Sequence, residues 1–215
     1  MNLLMRRRAM MQQKQGGGGL PDTYQQVEWI GCTGTQYIKT NYEPVQYDEL
    51  DTTFLINSNQ GNNSKVYWSA GTGDYQFILL TNSGNLYYKY FATGDAVRMS
   101  SSYRPLDSRM NYSINSSGII TTTNLETGAV LTSATSAYTA PIDSTDKSLY
   151  IFRRSDGTTT FFRGRLYKFI IINNGTLKLN LIPCYRKSDN ETGLYDTVGQ
   201  KFYTNAGTGS FIIPT

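Results

Sequence analysis

The chain has 215 residues, 39% hydrophobic and 13% aromatic, with 20 Lys and Arg against 16 Asp and Glu and no histidine. That length and apolar content fit one large all-β domain or two small ones with a buried core, and exclude a disordered chain. The missing histidine excludes Ser-His-Asp and Cys-His nucleophile systems, His-ligated zinc and histidine general bases.

Residues 1–19 hold Arg6, Arg7, Arg8 and Lys14 and no acid, so the remaining 16 bases balance 16 acids over residues 20–215. The positive charge belongs to an N-terminal arm, which argues against a basic nucleic-acid groove on the body. Leu3, Leu4, Met5, Met10 and Met11 place apolar side chains beside the arginines. Residues 3–13 favour helix but are short for a helix alone in water, so the arm is predicted to be extended or short-helical and to order on a partner. No apolar run follows its basic residues, so it is not expected to act as a secretory signal. No stretch of the chain approaches the roughly 20 apolar residues of a membrane span. Four glycines at 16–19 predict a hinge, dividing the chain into an anchoring arm (1–19) and a folded domain (20–215).

From Leu20 onward the pattern is that of strands and turns. DTTFLIN (51–57) and KVYWSAG (65–71) are rich in β-formers. YQFILL (75–80) and LYYKYF (86–91) flank TNSGN, a hairpin signal. MNYSIN (110–115) follows, and then IITTTN (119–124) and AVLTS (129–133) flank LETG. SLYIFRR (148–154) precedes LYKFIIIN (166–173) and TLKLNLIP (176–183), which flank Asn174-Gly175, the strongest short hairpin signal in the chain. Roughly a dozen strands without helical periodicity between them predict an all-β antiparallel β-sandwich or jelly roll.

Two segments carry a resemblance. LPDTYQQVEWIGCTGTQYIKT (20–40) resembles the opening of laminin-G-like, concanavalin A-like jelly-roll modules, usually read as L-P-x-x-Y-x-x-x-E-[YW]-I-x-x-T-G-T-Q-Y-I-x-T. GRLYKFIIINNGTLKLNLIPCYRKSDNETGLYDTVGQKFYTNAGTGSF (164–211) is similar to the ending of the same modules, with I-P-C-x-R-K-S-D, G-L-Y-D and K-F-Y-x-N-x-G-x-G-x-F. Together the segments span about 70 residues; the middle of the chain matches only in strand rhythm. The modules occur in bacteriophage structural proteins and in surface proteins of gut bacteria. The resemblance implies a concanavalin A-like jelly roll whose first and last strands lie together, so that TGTQYI neighbours KFYTNAGTGSF. Gly193, Gly199, Gly207 and Gly209 then serve turns, and Asp189 and Asp196 bond local backbone or pair with Arg186 and Lys187. The family usually has a small, Ser-like residue at Cys32, while Cys184 is typical without a partner.

Cys32 and Cys184 are far apart in sequence and are expected to be free, buried thiols. Glucanases of this fold carry E-x-D-x-E on one strand; here Glu49-Leu50-Asp51-Thr52-Thr53 ends in threonine, so the retaining carboxylate pair is missing. Asp143, Asp146, Asp189 and Glu191 are loop carboxylates that a structural calcium ion could use, but no D-x-D-x-D-G spacing appears, and no cofactor is expected. GTGD (71–74) and AGTGS (206–210) do not lead into helices, which argues against phosphate cradling. Tyr67, Trp68, Tyr75, Tyr87, Tyr88 and Tyr90 are candidate glycan-stacking residues, although half of any alternating set must face the core.

The sequence therefore leads to an expected virion structural protein without enzymatic activity, a head fibre or decoration protein on the surface of a bacteriophage particle. Its arm would dock on other virion proteins such as the capsid, with several copies acting together as a homo-oligomer, and its head would display a jelly roll to a host-surface glycan. Neither membrane nor nucleic acid is an expected partner. The alternative is a carbohydrate-binding surface module of a gut bacterium, and the third reading is a glycoside hydrolase.

Overall fold

The computed structural model describes residues 19–58, 65–71, 76–92, 96–99, 105–135, 141–142, 146–156 and 161–214. The arm residues Leu3, Leu4, Met5, Arg6, Arg7, Arg8, Met10, Met11 and Lys14 lie outside this set, as do Tyr75 and Asp143.

Two antiparallel sheets form a sandwich. The first contains β1 (Tyr24–Gln26), β2 (Ile30–Cys32), β4 (Asp48–Ile56), β9 (Arg109–Ile114), β10 (Ile119–Asn124) and β11 (Val130–Thr135). It is completed by β13 (Gly164–Asn173), β14 (Thr176–Arg186), β15 (Thr192–Asp196) and β16 (Lys201–Thr204). Its order is β11-β10-β9-β4-β13-β14-β15-β16. The second sheet is built from β3 (Ile38–Lys39), β5 (Lys65–Ala70), β6 (Gln76–Asn82), β7 (Asn85–Ala92), β8 (Val97–Met99) and β12 (Tyr150–Ile151). Its order is β3-β12-β5-β6-β7-β8, which leaves β3 at an edge.

The expected hairpins form, and their turns explain the sequence signals. Asn174 and Gly175 have φ of 48° and 74°, the left-handed pair that a two-residue hairpin needs to match strand twist. Ser83 and Gly84 repeat it at 47° and 80°, so the β6–β7 turn is tighter than the TNSGN stretch implies. β13 and β14 pair only from Phe169–Asn173 to Thr176–Leu181. Beyond that point β2 pairs with Gly164–Leu166, while β1 pairs with Cys184–Arg186. The opening segment thus joins the strands of the closing one, and Gly31 and Ile212 exchange backbone hydrogen bonds of 2.8 and 3.0 Å.

The core lies between the sheets. Phe54 of β4 is wholly buried and stacks on Trp68 of β5 at 5.9 Å, with Tyr67, Phe152 and Phe162 meeting its edges or faces. Phe169 of β13 meets Trp68 edge-on at 5.9 Å. Burial of each such side chain contributes about 1.5–3 kcal/mol, and favourable ring pairs roughly 0.5–1.5 kcal/mol more. A bulge between Val66 and Trp68 breaks the alternation of β5, so Tyr67 and Trp68 are both buried.

Cys32 and Cys184 are free and buried, as expected. The Cys32 thiol donates to the Phe162 carbonyl at 3.0 Å, and burial pushes the Cys184 thiol up to about 12, which keeps it in the unreactive neutral form.

Candidate functional site

The segment that follows the TGT of the opening motif runs along the β3 edge of the second sheet. In β3 Ile38 turns inward to the core, so Tyr37 and Lys39 turn outward. The segment is held against the end of the chain. Asn205 Oδ1 accepts from Tyr37 N (3.1 Å) and Gly207 N (2.9 Å), and Asn205 Nδ2 donates to the Gly209 carbonyl (2.8 Å). Ala206 N and Thr208 N donate to the carbonyls of Tyr37 and Thr35 at 2.9 and 3.2 Å. TGTQYI and KFYTNAGTGSF are neighbours, as the jelly-roll reading expects, but they meet as a loop on a strand edge.

On its outer side this edge carries rings and cations. Tyr37 stacks with Tyr150 at 6.1 Å and tilts against Phe161 at 6.2 Å. The Arg153 guanidinium lies 4.5 Å from the Tyr37 ring centre and 5.6 Å from that of Phe161. Lys39 Nζ sits 5.3 Å from the Tyr150 ring centre and 2.7 Å from Asp146 Oδ2, which also accepts from Tyr150 Oη at 2.8 Å. Burial works to raise the Asp146 carboxyl, but hydrogen bonds from Lys39, Ser148 and Tyr150 outweigh it and hold the group below the usual carboxylate range.

Past Lys39 the segment borders a shallow cavity of about 240 Å³, open to solvent, at the seam where β3 approaches β16. Asn41, Tyr42, Leu179, Asp196, Lys201 and Tyr203 line it. That volume is below the roughly 300–1,000 Å³ of pockets enclosing drug-sized molecules, so it suits one sugar-sized ring or the end of a chain. Its walls are fixed by internal hydrogen bonds. Asp196 Oδ1 accepts from Asn180 N (3.2 Å) and Val198 N (3.0 Å), and Oδ2 from Gly199 N (3.0 Å), which shapes the β15–β16 turn and sets Lys201 at the rim. The Tyr42 hydroxyl donates to Asp48 Oδ2 at 2.7 Å, and Asn41 N donates to the Tyr203 hydroxyl at 3.3 Å. Asp48 is wholly buried on β4 and also receives Val45 N and Asn173 Nδ2, both at 2.9 Å. Burial raises its pKa despite those three donors.

The structure corrects several sequence-based site expectations. Tyr67, Trp68, Tyr88 and Tyr90 are wholly buried in the core and have no surface to offer a glycan. Tyr87 is half-buried on the outer face of β7. Asp51, the centre of the Glu49–Thr53 stretch, pairs with Lys168 at 2.8 Å and accepts from Asn111 at 2.6 Å, both structural roles. Asp189 forms a forked pair with Arg186, and Asp196 bonds backbone, as the turn reading expects. Among the described residues no group of three acidic or thiol side chains converges in a way that could hold a metal ion. No described helix is long and apolar enough to cross a membrane.

The residues now gathered at the β3 edge were missed as a set, because they come from segments up to 173 positions apart. The available signal was the expected pairing of TGTQYI with KFYTNAGTGSF, which already places Tyr37 near Tyr203.

No family model and no curated protein matches the chain. Solved structures do. A Bacteroides ovatus protein, provisionally described as a carbohydrate binding protein, matches with a TM-score of 0.54 at 15% identity. The match covers 89% of this chain and 60% of that one, so the chain spans less than two thirds of its neighbour's length. Tailspike protein 2 of Escherichia coli O157:H7 bacteriophage CAB120 matches with a TM-score of 0.43 at 13% identity, over 72% of this chain and 26% of that one. Scytalido-glutamic peptidase matches with a TM-score of 0.41 at 12% identity, over 85% of this chain and 98% of that one. At these identities a likeness concerns the fold alone: the chain is a β-sandwich of a kind found in a protein described as carbohydrate-binding. The expectation of a protein without enzymatic activity is corrected here, because a peptidase stands among the matching structures.

Proposed function

We propose that the chain is a saccharide-binding display module, a β-sandwich head that takes a host-surface glycan at the β3 edge and is carried on a bacteriophage particle by the arm of residues 1–19. One observation carries the binding reading. A cavity of about 240 Å³ with two tyrosines and polar side chains follows directly in the chain on the β3 segment that carries Tyr37, whose half-buried ring meets the half-buried Phe161 and the buried Tyr150. Sugars are recognised by this combination, since their C–H faces pack on rings while their hydroxyls need fixed hydrogen-bonding partners. The Bacteroides ovatus fold neighbour supports the reading by its described binding class.

The particle reading rests on the resemblance of residues 20–40 and 164–211 to laminin-G-like modules of phage structural proteins and on the arm. Arg6, Arg7, Arg8 and Lys14 would meet carboxylates of a virion protein through charge-assisted hydrogen bonds, and Leu3, Leu4, Met5, Met10 and Met11 would add apolar burial. Ordering each arm residue opposes binding by about 1–2 kcal/mol, so several copies engaged together would gain from avidity. The second reading keeps the same site and places the module on a gut-bacterial surface.

Two experiments test the proposal. A glycan array probed with the purified protein is expected to give saturable binding that is lost in a Tyr37→Ala, Tyr203→Ala double variant. A gel of purified particles is expected to contain the chain, and replacing Arg6, Arg7 and Arg8 with Ser is expected to remove it while the head stays folded. Absence from particles moves the module to the second reading, and normal incorporation of the triple variant sinks the anchoring role of the arm.

A further inference from the structure

We infer that the ligand of the seam cavity is an acidic saccharide whose carboxylate or sulfate group is held by Lys201. This deepens the saccharide-binding reading above and rests on it. The inference comes from a count of which hydrogen-bonding groups the fold leaves over for a ligand.

The acceptors of the cavity are largely spent. Both oxygens of Asp196 are taken by three backbone N–H groups, at 3.2, 3.0 and 3.0 Å. Of the roughly four acceptor positions of a carboxylate this leaves one, on Oδ2, and the charge is spread over those dipoles. The other remaining acceptors are the Asn41 carboxamide oxygen and the Tyr42 hydroxyl oxygen, whose own proton goes to Asp48.

The donors, by contrast, are available. Tyr203 Oη accepts from Asn41 N, so its O–H has no partner among the described residues and remains to donate. The Asn41 carboxamide adds two N–H groups, and the Lys201 ammonium adds three. Lys201 is exposed, its Nζ stands 5.1 Å from the Tyr203 ring centre, and among the described residues it forms no ion pair. The other cations of this edge are engaged: Lys39 with Asp146, and Arg153 over Tyr37 and Phe161.

A neutral sugar hydroxyl both donates and accepts, so a cavity that mainly donates leaves part of each hydroxyl unsatisfied. An anionic substituent accepts only and meets this surplus fully. Its charge is complementary to Lys201, which stands across from Asp196 in the β15–β16 register but forms no ion pair among the described residues. The geometry therefore favours a saccharide end bearing a carboxylate, as in uronic or sialic acids, or a sulfate ester.

The test is isothermal titration of the whole protein with three matched oligosaccharide sets: neutral, uronate- or sialate-terminated, and sulfated. Acidic sets are expected to bind about tenfold or more tightly than their neutral counterparts, the size expected when a hydrogen bond to a charged group is gained. Lys201→Gln is expected to abolish that preference with the melting temperature unchanged, and Lys201→Arg to retain it. A carboxylate-only or sulfate-only preference supports the inference and identifies the group. Saccharide binding without acid preference, or a preference that survives Lys201→Gln, overturns this inference and leaves the saccharide site standing. No saccharide binding in any set overturns both.

Discussion

Two aromatic groups of this molecule have similar composition and opposite roles. Phe54, Tyr67, Trp68, Phe162 and Phe169 meet between the sheets, wholly buried. Tyr37, Tyr150 and Phe161 meet at the β3 edge, interleaved with Lys39 and Arg153. The difference is what surrounds the rings. The core group meets other apolar surface on every side, and its contribution is to stability. The edge group keeps cations and a carboxylate within reach, and its neighbouring cavity retains unspent donors. In the proposed reading, a ring serves recognition when the sheet position leaves part of it in water beside polar groups.

The comparison breaks first at its strongest point. Phe54→Ala removes a ring that contacts four other aromatics, so it is expected to cost about 3–5 kcal/mol of stability. Urea unfolding measures this, and a loss near 1 kcal/mol would mean that the two groups do not differ as described.

Gly207→Ala tests the junction between the groups. An added Cβ would stand 2.0 Å from the Thr35 carbonyl oxygen, so the terminal loop must move off the β3 segment. The expected cost is about 1–3 kcal/mol, together with weaker saccharide binding. Unchanged stability and binding would show that the loop does not brace the site.

Tyr37→Ala truncates a half-buried ring, and a loss of roughly 1 kcal/mol in the same unfolding assay is expected. Saccharide affinity should nevertheless fall clearly, the reverse of the ratio at Phe54. Full affinity in this variant would separate the ring cluster from the cavity.

The smallest effect is that of pH on Asp48. Burial raises its folded pKa above that of the unfolded chain. Between the two values the folded state holds a proton that the unfolded state has released, so stability falls as pH rises through that window and is fully present below it. Relative to an Asp48→Asn variant, the wild type is expected to gain melting temperature as pH is lowered from neutral towards the ordinary aspartate range. A gap that stays constant or moves the other way would contradict the assigned burial.

Much of the fold was legible because its signals are local. Asn174-Gly175 states a turn that only left-handed backbone satisfies, and the chain ends carry spacing that pairs them. The burial of the mid-chain aromatics was not legible as strict alternation. The bulge in β5 puts adjacent Tyr67 and Trp68 inside together, and in β7 Tyr88, Lys89, Tyr90 and Phe91 are all buried, Phe91 with a φ of 49°. Such register breaks are tertiary events that no pair of neighbouring residues announces. The site was less legible still. Lys201 and Asn41 are ordinary surface residue types until β16 is placed beside β3.

The central claim is that the β3 edge and its seam cavity are the saccharide site. It is tested most directly by an NMR titration of the labelled protein with the glycan that binds best on the array. The account predicts saturable shifts for Tyr37, Lys39, Asn41, Lys201 and Tyr203, while Trp29, just before β2, and Arg165 of β13, whose guanidinium lies 4.2 Å from the Trp29 ring centre, stay unmoved. Shifts confined to Trp29 and Arg165, with the cavity residues silent, would contradict it.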